Sequence, residues 1–296
     1  MEIDGTEILD TYAEAFPTWL ARVIVTGASE RWALAAANEA AGFATSKIGC
    51  PCEAGIERRL VPGETPDGRP GVAVLVCSEK KNLRENVAAR IAQCILPAPT
   101  ASAYDGFPGV SDRFYTRMHY FGDAYEERCR VGGRDCWRIP VMEGTYVGEE
   151  RFGVVGGIAG GNILVMGDGA PSALAGAEAA VDAIAEMAGV ITSFAGGIVA
   201  SGSKVGCRNY RFPMPASTNH AWCPTLRGIV DDSRVPDGVG AVYEVVVNGL
   251  DETAVRAAMK AAVLAAAGSG GVSAIGASNF DGRLGPFLFH LHDLFE

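Results

Sequence analysis

The chain has 296 residues, 48% of them hydrophobic, and its 25 Lys and Arg against 35 Asp and Glu leave a formal charge of −10. That length allows two compact domains, and that composition excludes a disordered chain. The acidic balance, without a long basic run, excludes nucleic acid as the main partner, and the most apolar stretch, 253–267, carries Arg256 and Lys260 and so does not read as a membrane span.

The chain opens acidic and polar over residues 1–9, without the basic end and apolar block of a secretory signal, which points to a cytoplasmic protein. Residues 21–25 then form a β-rich run, Ser29 is placed to cap a helix reaching about Ala41, and 43–48 returns to an extended pattern. A turn-rich stretch, 62–71, separates this β-α-β unit from the next. There 71–77 is a strand, Ser78 a cap, 82–93 a helix with Leu83, Val87 and Ile91 on one side, and 94–96 a return to strand. The segments 98–108 and 112–140 are irregular and mix aromatic, charged and glycine residues.

The second half repeats the plan. Residues 162–166 predict a strand, Pro171 opens a helix to about Met187, and 190–193 resumes the extended pattern. After a long connection, 194–224, the alternating run 241–248 predicts a strand, Asp251 caps an Ala-rich helix to about Ala267, and 271–275 closes the set. Paired β-α-β signals in each half fit an α+β fold of two ferredoxin-like lobes arisen by duplication, each an antiparallel sheet covered by helices. The seam falls near residues 146–151, giving lobes 1–147 and 148–296.

Several short motifs carry little chemistry. Thr26-Gly27-Ala28-Ser29 after a strand looks like a dinucleotide-binding opening, but Glu30, Arg31 and Trp32 stand where further glycines are required. The cluster Gly156-Gly157-Ile158-Ala159-Gly160-Gly161 precedes a strand rather than a helix and reads as close packing. Ser201-Gly202-Ser203-Lys204 has only a chance likeness to a Ser-x-x-Lys nucleophile pair. The eight cysteines sit mostly among apolar residues and read as reduced thiols, and Cys50-Pro51-Cys52 is too tightly spaced for a zinc site. The four histidines are His119, His220, His290 and His292; the last two share a strand face but lack a third ligand, so no metal is expected.

Glu244 is the most informative residue. Period-two alternation in 241–248 sets it on one face with Val242, Val246 and Asn248, opposite Tyr243, Val245 and Val247. Two readings stay open: a buried acid kept neutral to donate a hydrogen bond to an oxyanion, or an edge-strand carboxylate facing water.

Ordered blocks along the whole chain resemble the formylmethanofuran:tetrahydromethanopterin formyltransferase family. They run from Thr11-Tyr12-Ala13-Glu14-Ala15-Phe16 through Glu64-Thr65-Pro66-Asp67-Gly68-Arg69-Pro70-Gly71, Gly196-Gly197-Ile198-Val199-Ala200-Ser201-Gly202-Ser203-Lys204 and Ala216-Ser217-Thr218-Asn219 to Leu291-His292-Asp293-Leu294-Phe295. The resemblance implies a cytoplasmic homotetramer that moves a formyl group between methanofuran and tetrahydromethanopterin as co-substrates, without metal or prosthetic group. In archaea this serves methanogenesis; in methylotrophic bacteria the family serves formaldehyde oxidation as a subunit of a formyltransferase/hydrolase complex. The family's glutamate in the block Tyr243-Glu244-Val245 assists the transfer, which assigns Glu244 as the catalytic residue. Transfer by direct attack of the pterin amine needs orientation and a donor to the tetrahedral oxyanion. Because the co-substrates carry anionic tails, Arg69 and Lys204, with Ser201 and Ser203, are the candidate substrate-binding residues, the alternative being solvated loop positions. Cys52, Pro97, Ala195, Asp281 and Arg283 depart from the family pattern. They keep open a second reading, a non-catalytic pterin- or partner-binding subunit of the same fold.

Overall fold

The structure is a computed structural model that describes residues 1–44, 50–207 and 209–296. The chain divides into two compact units, residues 18–44 with Pro51–Gly157 and Met1–Pro17 with Ile158–Glu296. Strand β1 (Tyr12–Thr26) contributes residues 12–17 to one unit and 18–26 to the other.

In the first unit, β1 is followed by α1 (Glu30–Gly42), β2 (Glu53–Leu60), β3 (Gly71–Ser78), α2 (Lys80–Arg90) and β4 (Ser102–Asp105). The strands lie in the order β4-β1-β3-β2, every neighbouring pair antiparallel, which is the ferredoxin-like arrangement. Alternation puts Ala21, Val23 and Val25 of β1 and Val72, Val74 and Val76 of β3 in one core with Ala33, Ala36, Ala37 and Ala40 of α1 and Leu83 and Val87 of α2. The small side chains of α1, spaced three and four apart, let its backbone lie close to the sheet. Beyond β4 the sheet continues through β7 (Gly144–Gly148), β6 (Arg134–Val141) and β5 (Glu127–Val131), with β7 parallel to β4.

Two extended segments expected here lie elsewhere. Phe43 and Ala44 close α1 in a turn, residues 45–48 lie outside the described residues, and the strand that follows α1 is Glu53–Leu60. Residues 94–96 are not extended either: Ile91–Ile95 continues α2 as a π-helical turn, and the strand is Ser102–Asp105. Ile91, Cys94 and Ile95 all face the core, so their three-and-four spacing continues the helical stripe; a short apolar run does not by itself distinguish helix from strand. Ser78 ends β3 and Glu79 takes the cap position before α2.

The second unit repeats the plan with β8 (Val155–Gly167), α3 (Ala170–Ala185), β9 (Val190–Thr192), β10 (Ala241–Gly249), α4 (Glu252–Gly268) and β11 (Val272–Gly276). Its order, β11-β8-β10-β9, is the same ferredoxin-like sequence of antiparallel neighbours. Asp251 caps α4 by accepting from the Ala254 amide at 2.8 Å. The glycines expected before the strand instead lie inside β8, across a bulge between Ile158 and Gly161. A Cβ at Gly161 would lie 2.8 Å from Val255 of α4, so glycine there brings helix and sheet together. Val245 and Val247 point into the core beneath α3 and α4, with Ile163, Val165, Val255 and Met259. Burying each such side chain contributes about 1.5–3 kcal/mol. Strand Thr6–Ile8 runs parallel to β11, and β12 (Phe287–His290) pairs antiparallel with β1 from Tyr12 to Ala15.

Candidate active site

The face of the second sheet away from α3 and α4 carries the site. Because Val245 and Val247 are committed to the helix side, Glu244 and Val242 must emerge on the other. Glu244 lies in register with Leu164 of β8, and Leu164 and Met166 form a smaller core with Trp222, Val235, Val239 and Ala274. Trp222, Val235 and Val239 come from the long connection after β9, which therefore covers this sheet face.

The covering segment is fastened to the sheet beside Glu244 by backbone bonds to Val199. The half-buried Glu244 lines a cleft of about 290 Å³ together with Leu164, Ser201, Asn219, Trp222 and Thr225. β10 is paired on both sides of Glu244, with β8 on one side and with β9 and Val199 on the other, so Glu244 is not on an edge strand.

A second cleft, of about 540 Å³, shares Asn219 and Trp222 with the first and is lined also by Lys204, His220, Asp232, Arg234 and Arg283. Lys204 sits in a two-stranded ribbon, Lys204–Val205 against Ala216–Ser217. Its Nζ meets His220 Nδ1, and His220 Nε2 lies 2.9 Å from both carboxylate oxygens of Asp232. An ammonium can only donate, so Nδ1 accepts and Nε2–H donates to Asp232. The His220 hydrogen bond is the main cause holding the Asp232 carboxyl below its ordinary range.

The structure thus brings Glu244 and Ser201 into one cleft, sets Lys204 in the adjoining one, and leaves the half-buried Ser203 between them in the chain. Arg69 is in the other unit. Its Nε donates to Asp67 at 2.8 Å and its Nη atoms to Thr100 O at 2.6 Å, Ser102 Oγ at 2.7 Å and Thr26 Oγ1 at 3.0 Å, which ties the 62–71 turn to β1 and β4. The sequence did not single out the His220–Asp232 pair. Asn219 ends a block that resembles the family, but nothing in the spacing links His220 to Asp232. His290 ends β12 with its ring 4.9 Å from that of Tyr12 and tilted by 34°, while His292 lies in the 3-10 turn that follows and not on the same strand face, its Nε2 2.8 Å from Ile8 O. Among the described residues, no cluster of three or more His, Cys, Asp or Glu is arranged to hold a metal.

With the same ferredoxin-like plan in both units, and a cleft on the helix-free sheet face of one that adjoins a second cleft in the covering loops, the chain falls in the class of two-lobed ferredoxin-like α+β proteins. Sequence comparison places it within that class. The model of the family described as formylmethanofuran-tetrahydromethanopterin formyltransferase matches residues 1–141, and that described as FTR, proximal lobe, matches residues 144–294. The chain belongs to the formylmethanofuran-tetrahydromethanopterin formyltransferase family. It is 50% identical to the formyltransferase of that name from Methanosarcina barkeri and 49% identical to that from Archaeoglobus fulgidus, each match covering 100% of both chains. Among solved structures, the M. barkeri formyltransferase superposes with a TM-score of 0.94 at 50% identity over 100% of both chains. A chain of the Methylorubrum extorquens formyltransferase/hydrolase complex with methylofuran superposes at 0.92 with 41% identity, covering 100% of this chain and 99% of that one.

Proposed function

We propose that this chain transfers a formyl group between formylmethanofuran and tetrahydromethanopterin in one-carbon metabolism, with Glu244 at the reacting centre. The observation that carries the role of Glu244 is its placement: a carboxyl group half-buried in an apolar recess, on the sheet face free of helices.

The reaction needs no covalent enzyme intermediate. The pterin amine attacks the formyl carbon of the formamide, one C–N bond forms, and the carbonyl oxygen takes up negative charge. Collapse of the tetrahedral species breaks the other C–N bond, and the proton lost by the pterin nitrogen is made good on the departing methanofuran amine. Glu244, in its acid form, donates to the oxyanion, where a preorganised donor acts with little competition from water. Ser201 and Asn219 on the same wall orient the formyl group. Ser203, half-buried between the two clefts in the chain, is a further candidate contact for a substrate. Lys204, held by His220 and Asp232, receives an acidic part of a substrate in the second cleft. In this reading Arg69 sets the shape of its own loop.

Along the sequence the lobes of this reading are 1–147 and 148–296, supported by the meeting of the two family models between residues 141 and 144, although residues 1–17 pack with the second compact unit and the first unit extends to Gly157. Among the described residues no helix is long and apolar enough to cross a membrane, and the proposed location is the cytoplasm. We infer a homo-oligomer, a tetramer on the family resemblance, without metal or prosthetic group. Exposed Tyr210, Phe212 and Ile229 support burial against a further chain, and the Methylorubrum complex supports companion subunits. The decisive experiment is formyl transfer from formylmethanofuran to tetrahydromethanopterin by the purified chain. Product formation that depends on Glu244 is expected; a folded protein that binds the pterin and transfers nothing would overturn the reading.

A further inference from the structure

Glu14 is buried in β1, only 1% exposed, between the fully buried Ala13 and Ala15. Its carboxylate does not pair with a cation in the hydrogen bonds that surround it; it collects backbone amides. Oε2 accepts from Phe280 N at 2.9 Å and Gly282 N at 3.1 Å, while Oε1 accepts from Leu284 N and from Gly285 N at 2.9 Å. An ionised carboxylate offers about four acceptor positions, so the four amides use its whole capacity.

All four donors come from the irregular loop joining β11 to β12. Its start is pinned as well: Asn162 Oδ1 accepts from Ser278 N at 2.8 Å, and Thr11 Oγ1 accepts from Ala277 N at 2.9 Å. Converging amides demand an unusual backbone, supplied by positive φ at Asp281 (56°) and Gly282 (75°). At the far end a Cβ on Gly285 would lie 2.2 Å from Ala15 O, so the loop is pressed onto β1.

The same loop supplies Phe280, Asp281, Arg283 and Leu284 to the wall of the 540 Å³ cleft. Arg283 is itself oriented, with Nε donating to Phe280 O at 2.9 Å and Nη2 to Asp281 at 3.2 Å. The cleft is therefore lined by the cations Lys204, Arg234 and Arg283 against the carboxylates of Asp232 and Asp281, an excess of positive charge in an acidic protein. Burying a carboxylate is costly, and a chain turn between two strands does not require one. What the carboxylate adds is a fixed path for the residues between its amide contacts, Arg283 among them.

We propose that Glu14 is a positioning residue for substrate binding, which acts by folding the 280–285 loop around its carboxylate so that Arg283 completes, with Lys204 and Arg234, a receptor for an anionic group of one substrate. This rests on the formyl-transfer reading and adds to it a residue that touches no reactant.

The test compares Glu14→Gln, Arg283→Ala and the double variant with the unaltered enzyme in the formyl-transfer assay. Removing a charge-assisted contact predicts that Arg283→Ala raises KM for one of the two substrates about ten-fold or more while kcat changes little. Glu14→Gln keeps the shape but turns an amide group toward the loop's N–H donors, and is expected to raise the same KM with the other unchanged. If Glu14 acts through Arg283, the double variant is no worse than the more damaged single one. Inorganic phosphate and glutarate, added separately, distinguish a phosphate from a carboxylate as the recognised group: competition by either against that substrate, weakened in Arg283→Ala, supports the receptor. A Glu14→Gln protein with lowered thermal stability but both KM values unchanged overturns the proposal, as does Arg283→Ala with both KM values unchanged. The second outcome stands even if Glu14→Gln does not fold, because the Arg283 side chain is exposed. An unaltered enzyme that transfers no formyl group would instead overturn the underlying reading.

Discussion

Val199 and Glu244 are joined through their backbones in both directions, Val199 N–H to Glu244 O at 2.8 Å and Glu244 N–H to Val199 O at 3.0 Å. The pair takes over where β9 stops: Thr192 is matched to Val247 on the same edge of β10. The chain leaves β9, loops out, and returns to the sheet beside the carboxylate. Residues 200–202 then follow the wall of the recess, so the loop that carries Ser201 there and Lys204 in the adjoining cleft is registered against Glu244 by main-chain bonds that no side-chain substitution removes.

If Glu244 donates to the oxyanion, Glu244→Ala lowers kcat by about 10²–10³. Glu244→Gln retains an N–H donor and is expected to fall between the two. Steady-state kinetics on both variants, with circular dichroism to establish folding, checks the order; a Gln variant as impaired as the Ala variant would assign the residue to proton abstraction instead.

His220 holds the Lys204 ammonium from one side and Asp232 from the other. His220→Ala frees the lysine, and the loss of one charge-assisted hydrogen bond corresponds to a KM increase of about ten-fold for the substrate with the acidic group. Lys204→Ala is expected to affect the same KM, and the two substitutions together to add little. A double-mutant cycle on KM measures this.

Glu14 links stability to pH. Burial pushes its carboxyl up, but hydrogen bonds from Gly285, Phe280, Leu284 and Gly282 outweigh it, and the net position is below the ordinary 4.5. A group depressed in the folded state contributes its stability fully above the unfolded pKa and loses it as pH falls through the lower, folded value. The stability of the unaltered protein should therefore decline from about pH 5 downward, and Glu14→Gln should flatten part of that decline. Urea unfolding midpoints between pH 7 and pH 3 are the measurement.

Arg69 tests the other unit. Its side chain connects the 62–71 turn to Thr26, Thr100 and Ser102 as well as to Asp67, whose carboxyl, raised by burial, is brought below its usual range by the hydrogen bonds of Thr26 and Arg69. Arg69→Ala leaves these partners unmet and is expected to cost about 3 kcal/mol. Denaturant titration reads the loss directly.

Much of the fold was legible because its elements carry local periodicity. Val242 to Asn248 alternates, α1 repeats alanine at helical spacing, and Asp251 stands at a helix start, so strands, helices and the α+β class follow from short windows. The misread segments are those where local signals are equivocal: Ile91–Ile95 is too short to separate helix from strand, and β5 and β6, mostly polar and exposed, have only the turn Gly132-Gly133 to announce a hairpin. Glu244 stood out as a carboxylate in an apolar strand. Ser201 and Lys204 entered through family resemblance, and neither Glu14 nor the His220–Asp232 pair carried a pattern that a window could detect.

By itself, then, the sequence determined most of the periodic elements, their duplicated order, and that Glu244 shares a face of β10 with Val242 and Val246, opposite Val245 and Val247, since a period of two leaves only two choices. Only the tertiary structure decided what covers that face and what the buried carboxylate of Glu14 is for. Its partners lie 266 to 271 residues away in a loop whose conformation is set by those contacts and not by the repetition of its own side chains. Aperiodic segments take their shape from what they meet in space, and in this chain the 194–240 connection and the 277–286 loop are two such segments that line the clefts.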